Sequence, residues 1–219
     1  MSEQTAGTVT VAGTLVALLA FGYAEFMLPD RPLLSDYALV SGGLLPVVIG
    51  MLALASACLS LAYGLATGEP GRTAATRVLL LAAAGGLMLC ALFPTDATVI
   101  KSVSGEIHRW AGAVVFTTLP VAAWGLARGR AALPRWTAVK ALSVTSAVAL
   151  AVYLAAHPAS FTSPWIGGEA YYGLLQRGLV LTEVVLVAAM AVAFMIRRTV
   201  MAPPVAGAAP AARDERLAA

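Results

Sequence analysis

Residues 44–67 read LLPVVIGMLALASACLSLAYGLAT, 24 positions without one charged side chain. A helix rises 1.5 Å per residue, so about 20 mainly apolar residues cross the hydrocarbon core of a bilayer. Five further stretches have the same character: residues 8–28, 75–93, 108–126, 139–156 and 174–196. The pattern predicts an all-α, polytopic bundle of six transmembrane helices. It divides the chain into a leader (1–7), a six-helix domain (8–198) and a disordered tail (199–219) rich in Ala and Pro.

Composition agrees. Of 219 residues, 60% are hydrophobic and 11% charged, with a mean hydropathy of +0.85. Soluble domains sit near 45–50% and about 25%, and a soluble globule of this size would leave too much apolar surface exposed. Disorder and a disulfide scaffold are excluded by the same arithmetic. Cys58 and Cys90 lie inside apolar runs and read as small buried hydrophobes. No CxxC or His/Cys cluster points to zinc or an iron–sulfur centre. The first apolar run resembles a signal peptide, but residues 1–8 contain Glu3 and no Lys or Arg, so an uncleaved helix is expected.

Positive charge sets the orientation. The leader, second and fourth loops and tail carry ten Lys or Arg, against four (Arg31, Lys101, Arg109, Arg177) in the other loops. The positive-inside rule then puts both termini in the cytoplasm of a multi-pass cell-membrane protein. The net charge of +3 thus serves topology, and no nucleic-acid partner is expected. The first, third and fifth helices run into Pro29, Pro94 and Pro158, consistent with three helical hairpins turning at the outer face. Polar stripes at helical spacing (Ser56, Ser60, Tyr63, Thr67; Ser143, Ser146, Tyr153, His157; Thr14, Gly22, Glu25) are expected to face neighbouring helices. Pro46 and Pro120 are expected to kink the second and fourth helices.

Ionisable residues in or near the membrane carry the functional reading. Glu25 lies about one turn inside the first helix, and Glu183 six residues beyond Arg177, roughly 9 Å deeper. Each needs a partner, a proton or a wet cavity. Asp36, Asp96, Lys101, His108, Arg109, His157, Glu169 and Arg177 gather on the same outer side, and Gln176 shares a helical face with Glu183. This is either a binding or catalytic pocket, or a set of ion pairs that locks the bundle. His108 and His157 raise the option of one bis-imidazole haem or a metal, but no ligand spacing supports either, and no cofactor is expected. Ser104-Gly105 lacks a nucleophile-elbow context.

Several of these residues carry a resemblance. Ser35-Asp36-Tyr37, Phe93-Pro94-Thr95-Asp96, Gly105, His108 and Gly173-Leu174-Leu175-Gln176-Arg177 resemble motifs of the domain-of-unknown-function 998 family, small bacterial integral membrane proteins. The resemblance covers roughly residues 8–198. It implies a six-helix fold, emphasises Asp36, Asp96, His108 and Arg177, and brings no activity to transfer.

Two functional classes stand against each other. One is a membrane enzyme acting on a lipid or isoprenoid, in its specific form a terpene cyclase. There a buried carboxylic acid would protonate an alkene or epoxide, and aromatic rings would stabilise the cation. Glu25, Asp36, Asp96, His108 and Glu183 are the candidate catalytic residues, with Glu25 or Glu183 as the acid. Tyr23, Tyr153, His157, Trp165, Gln176 and Arg177 are candidate substrate contacts. The other class is a non-enzymatic lipid-binding or accessory membrane protein, favoured by the lack of a triad, nucleotide loop or metal motif. A proton-coupled transporter comes third, because the deep polar groups read as lying toward one side. Membrane lipids or a hydrophobic small molecule are the expected partners; no protein partner is identified.

Overall fold

The computed structural model describes residues 2–97, 100–130 and 133–201. Within them the chain is helical, with no strand, and six helices are long and apolar enough to cross a membrane. They are α1 (Glu3–Met27), α2 (Leu44–Gly68), α3 (Ala74–Leu92), α4 (Val103–Ala127), α5 (Pro134–Ala156) and α7 (Gly168–Met201). A 3-10 turn (Leu34–Leu39) sits between α1 and α2, and the four-residue α6 (Ser163–Ile166) precedes α7. The pairs α1–α2, α3–α4 and α5–α7 pack as hairpins, and α2 also lies along α3. Glu3, Gly68 and Phe194 meet at one end of the bundle, termed proximal. The turns after α1, α3 and α5 form the distal end.

Helix starts differ from the apolar runs because polar caps lie outside the lipid-soluble part. Ser2 Oγ accepts the Thr5 amide at 3.1 Å, so α1 begins at Glu3 and takes in most of the expected leader. Ser102 Oγ accepts the Gly105 amide at 3.0 Å, starting α4 five residues before His108. Pro134 opens α5 at a position where its missing N–H leaves nothing unpaired. The α7 helix continues to Met201; residues 202–219, most of the expected tail, lie outside the described residues.

Small residues let the backbones approach. Between apolar helices in lipid there is little hydrophobic drive to associate, so close packing and hydrogen bonds carry the contact. A Cβ on Gly13 would stand 2.8 Å from the Ala53 carbonyl oxygen, and one on Gly86 2.8 Å from that of Ala111. Thr10 donates to the Ala57 carbonyl at 3.3 Å and Ser143 to the Pro120 carbonyl at 2.7 Å, tying α1 to α2 and α5 to α4. Large apolar side chains such as Leu19, Phe26, Val78 and Leu174 point outward, as a lipid-facing surface requires.

Two expectations about helix faces are corrected. The α2 stripe faces outward: Ser56, Tyr63 and Thr67 are exposed. Ser56 and Thr67 satisfy their hydroxyls on their own helix, at the Leu52 carbonyl (2.8 Å) and the Gly64 carbonyl (3.1 Å), so lipid contact leaves nothing unpaired. Pro46 falls in the first turn of α2, where it removes no helical hydrogen bond and gives no reason for a kink. By contrast, Ser143 and Ser146 of α5 and Thr14 of α1 are buried between helices.

The proximal end is closed by one arginine. Arg130 grips Glu69 with Nη1 and Nη2 (3.1 and 2.8 Å) and donates from Nε to the Leu126 carbonyl at 2.6 Å. It also lies 4.1 Å from the ring centre of Trp136. Burial, with Arg72 and Arg135 nearby, pulls Arg130 down to about 10, so it is still charged at neutral pH.

Candidate functional site

The distal end is assembled around Arg177. Its Nε donates to Glu25 at 2.8 Å, Nη1 to the Pro32 carbonyl at 3.0 Å, and Nη2 to the Arg31 carbonyl at 2.6 Å and Asp30 at 3.3 Å. One planar fork thus joins α1, α7 and the chain between α1 and the 3-10 turn. The neighbouring Gln176 accepts the Leu34 amide at 2.9 Å, capping that turn. Gly173 has to lack a side chain, since a Cβ there would collide with the Pro32 carbonyl. Glu25 is therefore held in an ion pair with Arg177.

Asp36 belongs to the same turn. Its Oδ2 accepts the Leu33 amide at 3.2 Å. Burial pushes its carboxyl above the usual range, against the pull of that amide and of the charges on His108, Arg31 and Arg177. Asp96 behaves in the opposite way. Its Oδ1 accepts from both the hydroxyl (2.5 Å) and the amide (3.1 Å) of Ser102, and Oδ2 faces Arg109 at 3.3 Å. The Ser102 bonds, then Arg109, hold the Asp96 carboxyl below the usual carboxylate range. Gly105 leaves room for it: a Cβ there would collide with the Asp96 carboxylate. His108 Nδ1 lies 2.8 Å from the Phe93 carbonyl, so Nδ1 carries the hydrogen of that contact.

A second group joins α4, α5 and α7. The rings of Tyr153 and Tyr172 stack with centres 4.6 Å apart and their hydroxyls 2.5 Å apart. Phe116 meets Tyr153 edge-on at 6.4 Å, and His157 meets Tyr172 edge-on at 5.2 Å. His157 Nδ1 accepts the Ala159 amide at 3.0 Å. Tyr172 and Phe116 were not singled out in the sequence; Tyr172, nineteen residues after Tyr153, gives no periodic signal. Of the expected aromatic contacts only Tyr153 belongs here. Tyr23 is 54% and Trp165 87% exposed, which leaves them on the outer surface instead of around a shared pocket.

Glu183 lies apart from all of these, halfway along the apolar part of α7 and 1% exposed. Its Oε1 accepts the Ser146 hydroxyl at 2.6 Å, and its Oε2 has no hydrogen-bond partner among the described residues. It lies midway along the apolar span of α7, well away from the distal end.

A groove of about 820 Å³ runs between α3 and α4 toward the distal end. It is lined by Gly85 and Gly86 of α3 and by Trp110 and Val114 of α4, with Lys101 and Glu106 at its distal end. A Cβ on Gly85 would meet nothing within 4 Å, which is why the space exists. In the sequence the adjacent glycines Gly85-Gly86 are the one signal that could mark this groove. Glu106 is held by Arg109 at 2.6 Å, whereas Lys101 makes no ion pair among the described residues.

A family model described as a protein of unknown function, DUF998, matches residues 6–193. The chain belongs to the DUF998 family. No curated protein and no solved structure matches it. In this DUF998 chain the four emphasised residues have local work. Asp36 and Arg177 fix the turn after α1, while Asp96 and His108 fix the turn after α3. Glu25, Gln176 and Arg177 form a lock, Tyr153 and His157 an aromatic group, and Glu183 a separate buried acid. Among the described residues, no three His, Cys, Asp or Glu side chains converge as metal ligands would.

Proposed function

We propose that this membrane protein binds an amphiphile with a hydrocarbon chain and a phosphate headgroup, taken from the leaflet at the distal end. The groove between α3 and α4 carries this reading. Its volume of about 820 Å³ falls within the range of about 300–1,000 Å³ usual for small-molecule sites. Its walls are apolar and open toward lipid, and Lys101 at the mouth, with no ion pair among the described residues, supplies a cation for a phosphate. The excess of Lys and Arg at the proximal end supports an outer-leaflet position for the mouth and cytoplasmic termini.

Non-enzymatic binding fits better than cyclisation. A cyclase needs a neutral acid facing the chain it protonates. Glu25 is ion-paired, and Glu183 is buried away from the groove lining. The test is lipid retention by the full chain purified in mild detergent, with native mass spectrometry after exchange into phosphatidylglycerol or a polyprenyl phosphate. Retention should fall about tenfold in Gly85→Phe, which fills the groove, and in Lys101→Glu. Preference for one lipid identifies the source of the phosphate; retention unchanged in both variants rejects the reading. A cyclised product from the polyprenyl sample would overturn the non-enzymatic form.

A further inference from the structure

The middle of the bundle is nearly free of ionisable side chains. None occurs in α1 between Glu3 and Tyr23, in α4 between Arg109 and Arg128, or in α5 between Lys140 and Tyr153. The α3 helix has none between Arg77 and Cys90, and α7 only Glu183 between Arg177 and Arg197. From α2 the thiol of Cys58 is buried in the same core as Val184, the residue next to Glu183. From α5 Ser146 gives its hydroxyl to one Glu183 oxygen, and the other oxygen is buried with no partner among the described residues. No basic group forms an ion pair with this carboxyl among the described residues. A carboxylate so placed would hold a full charge on a single hydrogen bond at the depth where charge is least tolerated. A metal cation would need several oxygens around it, and only the Ser146 hydroxyl is bonded here. A proton needs none.

We propose that Glu183 and Ser146 form a mid-membrane proton-binding site, with the proton resident on the Glu183 carboxyl at neutral pH. The site is separate from the groove, and its failure would leave the lipid reading intact. Glu183 lies halfway along α7 and Ser146 halfway along α5. Loading and release therefore require a path through half the membrane thickness, as in proton-linked membrane proteins.

Infrared difference spectroscopy of the full chain in phosphatidylcholine vesicles at pH 7 tests this directly. The expected result is a protonated-carboxyl C=O band that shifts on transfer to D2O, disappears in Glu183→Gln, and moves in Ser146→Ala as its hydrogen bond is lost. Glutamine is neutral and close in shape, so Glu183→Gln should keep the thermal midpoint of the parent. If that variant does not fold, the Ser146→Ala shift decides alone. A spectrum in which Glu183→Gln removes carboxylate bands instead, or in which Ser146→Ala moves nothing, overturns the proposal. So does a band that never shifts in D2O, because a site that binds and releases protons must exchange.

Discussion

Arg177 illustrates how much one side chain can order. Its fork satisfies acceptors on Glu25, Asp30, Arg31 and Pro32, and its own side chain is 21% exposed. Arg177→Ala should therefore lower stability by about 1–3 kcal/mol, read as thermal unfolding in nanodiscs. The double variant with Glu25→Ala should lose less than the sum of the two singles, because the two share one interaction. The two aspartates of the distal turns should answer to pH in opposite senses. Asp36 binds its proton more tightly in the folded chain than in the unfolded one, so its contribution is favourable below its raised value and lost as pH rises through it. Asp36→Asn should match or exceed the parent at pH 7, with no advantage at about pH 4. Asp96 has a lowered value, so it stabilises above the ordinary carboxylate range and loses this as pH falls. Asp96→Asn should reduce the thermal midpoint at pH 7, and the gap should close near about pH 3.

At the scale of elements, α3 carries a pair of glycines with contrary demands. Gly86 faces α4, and a Cβ there would stand 2.8 Å from both the Ala111 carbonyl oxygen and a Val115 methyl. Gly85 faces open space. Gly86→Leu should push the helices apart and destabilise by about 1–3 kcal/mol or more. Gly85→Leu should change stability by no more than about 0.5 kcal/mol, and thermal unfolding of the two side by side checks the assignment. The same contrast explains what the sequence could tell. Six helices were legible in runs such as 44–67, because crossing a bilayer demands length and apolarity and little else. The buried face of α2 was not, because Ser56 and Thr67 bond to their own helix and so carry no directional information. Nor was the groove, which is made by the side chain that Gly85 lacks. Pocket and lock were equally compatible with the distal charges. Deciding required knowing that Arg177 on α7 reaches Glu25 on α1, a pairing 152 residues apart that no local pattern encodes.

For the whole molecule, charge asymmetry predicts an orientation that can be measured. With Cys58 and Cys90 replaced by Ala, single cysteines at Gly71 (proximal) and Asp30 (distal) report the two sides. A membrane-impermeant maleimide added to intact cells should label Asp30→Cys, and Gly71→Cys only after lysis. The reverse pattern would place the chain ends outside. The fold tolerates the probes: a Cβ at Gly71 meets nothing within 4 Å, and the Asp30 side chain is 93% exposed.

The two arginine clamps divide the bundle mechanically. At one membrane face Arg177 rivets α1 to α7; at the other Arg130 binds the end of α2, the end of α4 and the start of α5. No residue of α3 takes part in either. That helix is attached by close packing against α2 and α4, by Arg77, which donates to the Pro70 carbonyl at 2.8 Å, and by His108 of α4 on the Phe93 carbonyl at its distal end (2.8 Å). Longer contacts run from Thr76 to the Ala122 carbonyl and from Cys90 to the His108 carbonyl, both at 3.5 Å. The molecule is thus a frame clamped by ion pairs at both ends, with α3 held to it by helix packing and hydrogen bonds instead, and α3 and α4 together line the groove. A ligand seated against α3 would lie along the one long helix that neither clamp holds, so both ion pairs would stand whether the groove is filled or empty.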